Sequence, residues 1–257
     1  MKASQLTNKR PPRILLYGSP GTGKTGLISQ ASGGYMIDTD DGMLTARNLQ
    51  DSFTKYRHEI EFDTFYDANP LMPQAWLKIK TKLFDISKQC REGKFPYDAF
   101  CLDSLTRLCQ YCQSFVMSSN GGVDKTPQIQ HYGIMVHEIR NMLQLITSLP
   151  LLVIIATHEQ PYEDAGGADF FKPRVLGNKL PDEICCMFDE VWYMSTKILP
   201  SSKGSADFVV SWIPSNSHEA RTRSGTLKEF SIKELGLRGL LKEIGYAYTH
   251  EPKTGGA

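Results

Sequence analysis

Short apolar runs alternate along the chain with longer segments whose apolar residues recur every three or four positions. Ile14-Leu15-Leu16-Tyr17, Tyr35-Met36-Ile37, Tyr97 to Leu102 and Leu151 to Ala156 are unbroken or nearly unbroken apolar stretches, and each reads as a buried strand. A further strand is expected near Glu59–Phe65. Between them, Lys24 to Gln30 can start a helix. Trp76, Ile79, Leu83 and Ile86 share one helical face, which predicts a helix over 73–91 that Gly93 and Pro96 end. Thr106 to Met117 and His131 to Leu149 read as two more helices, the second with Ile134, Ile139, Met142, Leu143 and Ile146 apolar. Residues 118–130 and 160–179 are polar and glycine-containing, and read as loops. Val191–Met194 and Phe208–Ile213 read as strands, and His218–Arg223 with Leu227–Ile232 as the two ends of a hairpin. Leu237, Leu240, Leu241 and Ile244 suggest a short final helix.

This alternation implies an α/β domain: a mostly parallel, twisted sheet with helices on both faces and a β-hairpin region towards the C-terminus. Such sheets bind ligands at the carboxyl ends of their strands. Gly18, Asp38, Asp103 and Thr157 all lie just past strand ends, so the chemistry is expected along one edge. The domain is expected over 13–248, after a flexible lead-in at 1–12 and before a flexible tail at 249–257.

Composition changes this picture little. The 257 residues are 40% hydrophobic and 22% charged, with a net charge of +1, as in an ordinary globular protein and unlike a basic nucleic-acid arm. No apolar run approaches the roughly 20 residues of a membrane span, and the polar, basic start lacks the apolar stretch of a secretory signal. Six cysteines fit a reducing cytosol, and a cytoplasmic location is expected. Cys109 and Cys112 form a C-x-x-C, but no second pair follows. Three apart on a helix, they read as core packing rather than as metal ligands.

Candidate chemistry is densest at Gly18-Ser19-Pro20-Gly21-Thr22-Gly23-Lys24-Thr25, followed by Gly26. This fills every fixed position of G-x-x-x-x-G-K-[ST], after a strand and before a helix, where a phosphate loop belongs. Glycines let the backbone curl so that successive N–H groups face an anion, and the helix start adds positive partial charge. Lys24 is expected at the β- and γ-phosphates, exposed in the loop-to-helix turn, with the Thr25 hydroxyl on Mg²⁺. The ligands are therefore ATP and Mg²⁺. Tyr97 to Ser104 looks like a Walker B strand. Asp103 either supports Mg²⁺ or caps the next helix. Hydrolysis needs one more group to orient water. In the AAA+ group a glutamate usually follows the Walker B aspartate directly, and here that neighbour is Ser104. Asp40 is the first choice, with Asp38, Asp41 and Glu159 as alternatives. The acidic turn 38–41 otherwise only caps or solvates.

Together, Leu16–Thr25, Ile37-Asp38-Thr39-Asp40, Leu102–Thr106, Ile154–Glu159 and Ala220-Arg221-Thr222-Arg223 resemble the phage nucleotide-binding proteins with a minimal RecA/RadA-like P-loop core, some described as Sak-type single-strand annealing ATPases. The resemblance spans roughly residues 12–235 and implies a RecA-like P-loop NTPase fold. It implies a DNA-stimulated ATPase in a homo-oligomer on single-stranded DNA, acting in annealing or strand exchange beside a single-strand binding protein, in the host cytoplasm. It implies that Thr157 or His158 senses the γ-phosphate, that loops 118–130 and 160–179 line the DNA channel, and that Arg221 and Arg223 reach a neighbouring subunit's phosphates. Read from residue type alone, Arg221 and Arg223 also suit a solvated hairpin end, and His158 a satisfied strand-end residue. Lys172 and Arg174 beside Phe170 and Phe171 either meet DNA or belong to a loop that the two rings pin to the core. Other functions that share the phosphate loop are a helicase-loader-like or signalling ATPase on a protein partner, a small-molecule phosphotransferase, and a nucleotide-gated module with negligible turnover. The absent glutamate after Asp103 counts against the loader.

Overall fold

The computed structural model describes residues 10–43, 60–163, 167, 169–177, 179–198, 206–223 and 225–248. Most of the expected lead-in and all of the expected tail lie outside them. The strands are β1 (Arg13–Gly18), β2 (Gly34–Asp38), β3 (Glu61–Thr64), β4 (Ala99–Asp103), β5 (Leu152–Glu163), β6 (Asp169–Pro173), β7 (Glu190–Ile198), β8 (Ala206–Ser211), β9 (Arg221–Thr222) and β10 (Glu229–Ser231). The helices are α1 (Lys24–Ile28), α2 (Ala75–Arg91), α3 (Leu105–Ser119), α4 (Ile129–Thr147), α5 (Leu180–Met187) and α6 (Ile232–Glu243).

The main path of the sheet runs β10-β8-β7-β1-β5-β4-β2-β3. From β7 to β3 neighbouring strands are parallel, while β8 and β10 add an antiparallel edge. This is the expected RecA-like α/β arrangement. β5 lies between the phosphate-loop strand β1 and the acid-bearing strand β4, so three neighbouring strand ends converge. Register sets Gly18 beside His158, and Asp38 beside Asp103.

Alternating strand residues face two cores, as period-two geometry requires. Leu15, Tyr17, Ile37, Phe100, Leu102, Val153 and Ile155 pack against Trp76, Leu108, Ile139 and Ile184 of α2 to α5. Ile14, Leu16, Met36, Cys101, Ile154, Trp192 and Trp212 pack against Leu27 and Ile28 of α1 and Leu237, Leu240 and Leu241 of α6. Cys109 and Cys112 are buried in the first core, and all six cysteines are free. Among the described residues no helix is long and apolar enough to cross a membrane.

Two expectations need correction. Residues 160–179 are not simply a loop: β5 runs on to Glu163 and turns back as β6, with Gln160 opposite Lys172 and Tyr162 opposite Phe170. The aromatic residues on both strands give the extension side chains to pack, which the glycines and acids between them concealed. Nor do the segments 218–223 and 227–232 pair with each other. β9 pairs with the start of β7, and β10 with β8, because those strands offer open edges.

Candidate nucleotide site

The loop between β1 and α1 is shaped by its glycines. A Cβ on Gly18 would lie 2.1 Å from the Met194 carbonyl oxygen, so only glycine lets β1 and β7 close here. Gly21 and Gly23 take φ of 80° and 85°, which L side chains rarely adopt. The loop curls around the Lys24 ammonium, which donates to the carbonyls of Gly18 at 2.8 Å and Ser19 at 2.7 Å. Lys24 is only 6% exposed, contrary to the expectation of an exposed turn position: its stem lies inside the loop it braces. Burial lowers its pKa to about 8, against the pull of Asp103, Glu159 and Asp40. It remains mostly cationic at neutral pH.

Thr25 and Asp103 meet directly. The Thr25 hydroxyl donates to Asp103 Oδ2 at 2.6 Å. A Cβ on Gly42 would sit 3.2 Å from Thr25 Cγ2 and 3.7 Å from that carboxylate oxygen, so the turn after β2 backs the pair closely. Burial raises Asp103 to about 6; Thr25 lowers it, Asp40 and Asp38 raise it further, and Lys24 lowers it. A hydroxyl and a carboxylate beside a phosphate cradle suit Mg²⁺, which keeps waters and phosphate oxygens for its other positions. Among the described residues no group of three or more His, Cys, Asp or Glu could hold a metal, so a site built wholly from such side chains is absent there.

The acids after β2 divide their roles. Asp38 is buried and accepts from the N–H groups of Asp40, Gly42 and Met43 at 3.1, 3.2 and 3.4 Å, so it caps the turn. Asp41 is exposed with φ of 55°. Asp40 is the hub of a network: Ser104 Oγ donates to its Oδ2 at 2.6 Å, Arg107 Nε to its Oδ1 at 3.2 Å, and His158 Nε2 lies 3.6 Å away. Burial raises Asp40, but His158, Ser104 and Arg107 outweigh it and hold the carboxyl at about 2. This network joins the ends of β2, β4 and β5. Arg107 carried no motif, and only its position one turn into the helix after Asp103 pointed to it.

Of the two sensor candidates, only His158 points towards this network. The Thr157 side chain is fully buried on the opposite sheet face, where its hydroxyl meets Thr106 Oγ1 at 2.8 Å and donates to the Arg174 carbonyl at 3.0 Å. The next residue, Glu159, enters the loop itself: the Ser19 hydroxyl donates to Glu159 Oε1.

Arg221 and Arg223 are not at this edge. β9 aligns with Glu190 and Val191, where β7 begins beside Ile14 and Leu15 of β1, while Gly18, at the other end of β1, aligns with Met194 in the middle of β7. Arg221 Nη2 donates to the Phe188 carbonyl at 3.1 Å, and Arg223 Nη1 to Asp189 at 3.2 Å. They are therefore held away from this chain's own phosphate loop. In the β5–β6 hairpin, Lys172 pairs with Asp182 at 2.6 Å and lies over the rings of Tyr162 and Phe170, and Arg174 is exposed. Phe171 is pinned, its N–H donating to the Ser217 carbonyl at 2.7 Å.

The sequence matches the family model described as an AAA domain over residues 10–224, which takes in the phosphate loop, Asp103 and the strand ends around them. The chain belongs to the AAA domain family. It does so with Ser104 in place of a glutamate after Asp103, so that absence does not set it outside. Solved structures similar to this AAA domain include the flagellar accessory protein FlaH from Methanocaldococcus jannaschii, with 11% identity and a TM-score of 0.41, covering 79% of this chain and 77% of that one. Another is an ATPase from the type III secretion system of pathogenic bacteria, with 12% identity and a TM-score of 0.45, covering 72% of this chain and 52% of that one. No curated protein matches the chain.

Proposed function

We propose that this AAA domain is a Mg²⁺-dependent ATPase whose turnover is coupled to single-stranded DNA, in annealing or strand exchange of the phage type. The observation that carries the nucleotide half is the convergence of the buried Lys24, the curled Gly18–Gly23 loop and the Thr25–Asp103 contact at one sheet edge. Loop N–H groups and Lys24 would hold the phosphates, and Thr25 with Asp103 the Mg²⁺, which supplies charge neutralisation on the β- and γ-phosphates when bound. His158, 3.6 Å from Asp40, would report on the γ-phosphate. The DNA half rests on the family resemblance. It is supported by the β5–β6 hairpin, which leaves the same strand end and carries Tyr162, Phe170, Lys172 and Arg174, types that pair base stacking with phosphate contact. Because Arg221 and Arg223 sit at the far edge, any action on phosphate is in trans, within a homo-oligomer. Phosphate release from ATP, measured with Mg²⁺ or EDTA and with or without single-stranded DNA, tests both halves. Mg²⁺-dependent turnover that rises with DNA is expected. Turnover indifferent to DNA would leave an ATPase acting on another partner.

A further inference from the structure

We infer that Glu159 is the carboxylate that orients the attacking water, in place of Asp40; this rests on the ATPase reading above. The two acids differ in what their oxygens already do. Both oxygens of Asp40 accept hydrogen bonds, from Ser104 and Arg107, and His158 stands beside one of them. The hub is fixed by the strand ends it joins. Glu159 accepts one hydrogen bond, from Ser19, with the Tyr193 hydroxyl close to the same carboxylate. Its Oε1 accepts from Ser19, the second residue of the phosphate loop, while its Oε2 is buried without a hydrogen-bond partner among the described residues. A buried carboxylate oxygen left unpaired costs about 1–3 kcal/mol or more, and such atoms in native proteins call for an explanation such as a catalytic role or an ordered water. A water would donate to that oxygen while its own oxygen stays free to attack, once the side chain turns Oε2 out of its buried position.

Position agrees. β5 neighbours β1 as far as Gly18 and His158, so Glu159 follows alongside Ser19, and the carboxylate lies close enough to raise the pKa of Lys24. Lys24 is the group expected at the β- and γ-phosphates. On the far side Tyr193 lies beside Glu159, itself stacked on His218 at 4.1 Å, so the carboxylate is backed by rings and not by open solvent. In the step, the water oxygen forms a bond to the γ-phosphorus and the bond from that phosphorus to the β,γ-bridging oxygen breaks. The electron pair leaves with ADP, and the water's proton passes to the orthophosphate or to solvent. Glu159 accepts the hydrogen bond that aims the water and is not consumed.

The test compares the full-length parent with Glu159→Gln, Glu159→Asp and Asp40→Asn, measuring ATP affinity with Mg²⁺, kcat, KM and thermal stability. Gln keeps an oxygen for Ser19 but removes the carboxylate. We expect Glu159→Gln to bind ATP within about threefold of the parent and to lose about 100-fold or more in kcat, the usual scale for such a group. Glu159→Asp should recover part of that loss, and Asp40→Asn should lose less kcat than Glu159→Gln. A Glu159→Gln kcat within about threefold of the parent overturns the assignment. So does a loss seen only as weaker ATP binding or a lower melting temperature, or a larger kcat loss in Asp40→Asn. A parent that shows no Mg²⁺-dependent turnover overturns the ATPase reading as well. An active parent with an unaffected Glu159→Gln overturns this inference alone.

Discussion

Asp103→Asn should make the protein more stable and less able to bind Mg²⁺-nucleotide at once. Asp103 is 4% exposed, and burial lifts its pKa to about 6 from 3.8. An acid with a raised native pKa favours the fold when protonated. Its contribution is complete below the unfolded pKa and is lost as pH rises through the native one. The shift is about 2 units at 1.36 kcal/mol each, so ionised Asp103 costs the ligand-free fold up to about 3 kcal/mol above pH 6. Asparagine is neutral throughout, and its carbonyl oxygen still accepts from Thr25. Urea unfolding in EDTA, for parent and variant at pH 4, 5, 6 and 8, reads this directly. The variant should gain on the parent as pH rises from about 4 to about 6 and hold that lead above it. The same variant should bind ATP no better with Mg²⁺ than without. A stability difference that does not change with pH, or a variant less stable than the parent at pH 8, would refute the assigned environment of Asp103.

Lys24→Ala should abolish turnover; it also leaves the Gly18 and Ser19 carbonyls without their donor, so a stability loss of about 1–3 kcal/mol should accompany it in thermal unfolding. Arg174→Ala should weaken single-stranded DNA binding and its salt dependence more than Lys172→Ala, because Arg174 is exposed while Lys172 is already paired with Asp182. The reverse order in a salt titration would remove the hairpin from the DNA reading. If Arg223 acts in trans, specific activity should climb with protein concentration, and Arg221→Ala with Arg223→Ala should flatten that climb without changing ATP affinity. A concentration-independent parent rate would reduce both arginines to their contacts with Phe188 and Asp189.

The parallel core was legible because its strands are buried on both faces and therefore read as continuous apolar runs, and because glycine, lysine and threonine have fixed places in a phosphate loop. The β5–β6 hairpin was not. Its polar tip masks a cross-strand pattern that shows only when Tyr162 is set opposite Phe170. Nor does adjacency to a strand say which end of the sheet that strand occupies: β9 joins the start of β7, which sets Arg221 and Arg223 away from this chain's own phosphate loop. The choice among the acids was the least legible part. Asp38 ends β2, Asp40 follows it and Glu159 lies within β5, and what separates them is which hydrogen bonds each already accepts. Those donors come from as far away as Ser104, Arg107 and Ser19.

The most direct measurement is phosphate release from ATP by the purified parent and by Lys24→Ala, each with Mg²⁺ and with EDTA. The account predicts release by the parent only, and only with Mg²⁺. Equal release from both proteins, or release that EDTA leaves untouched, would contradict it.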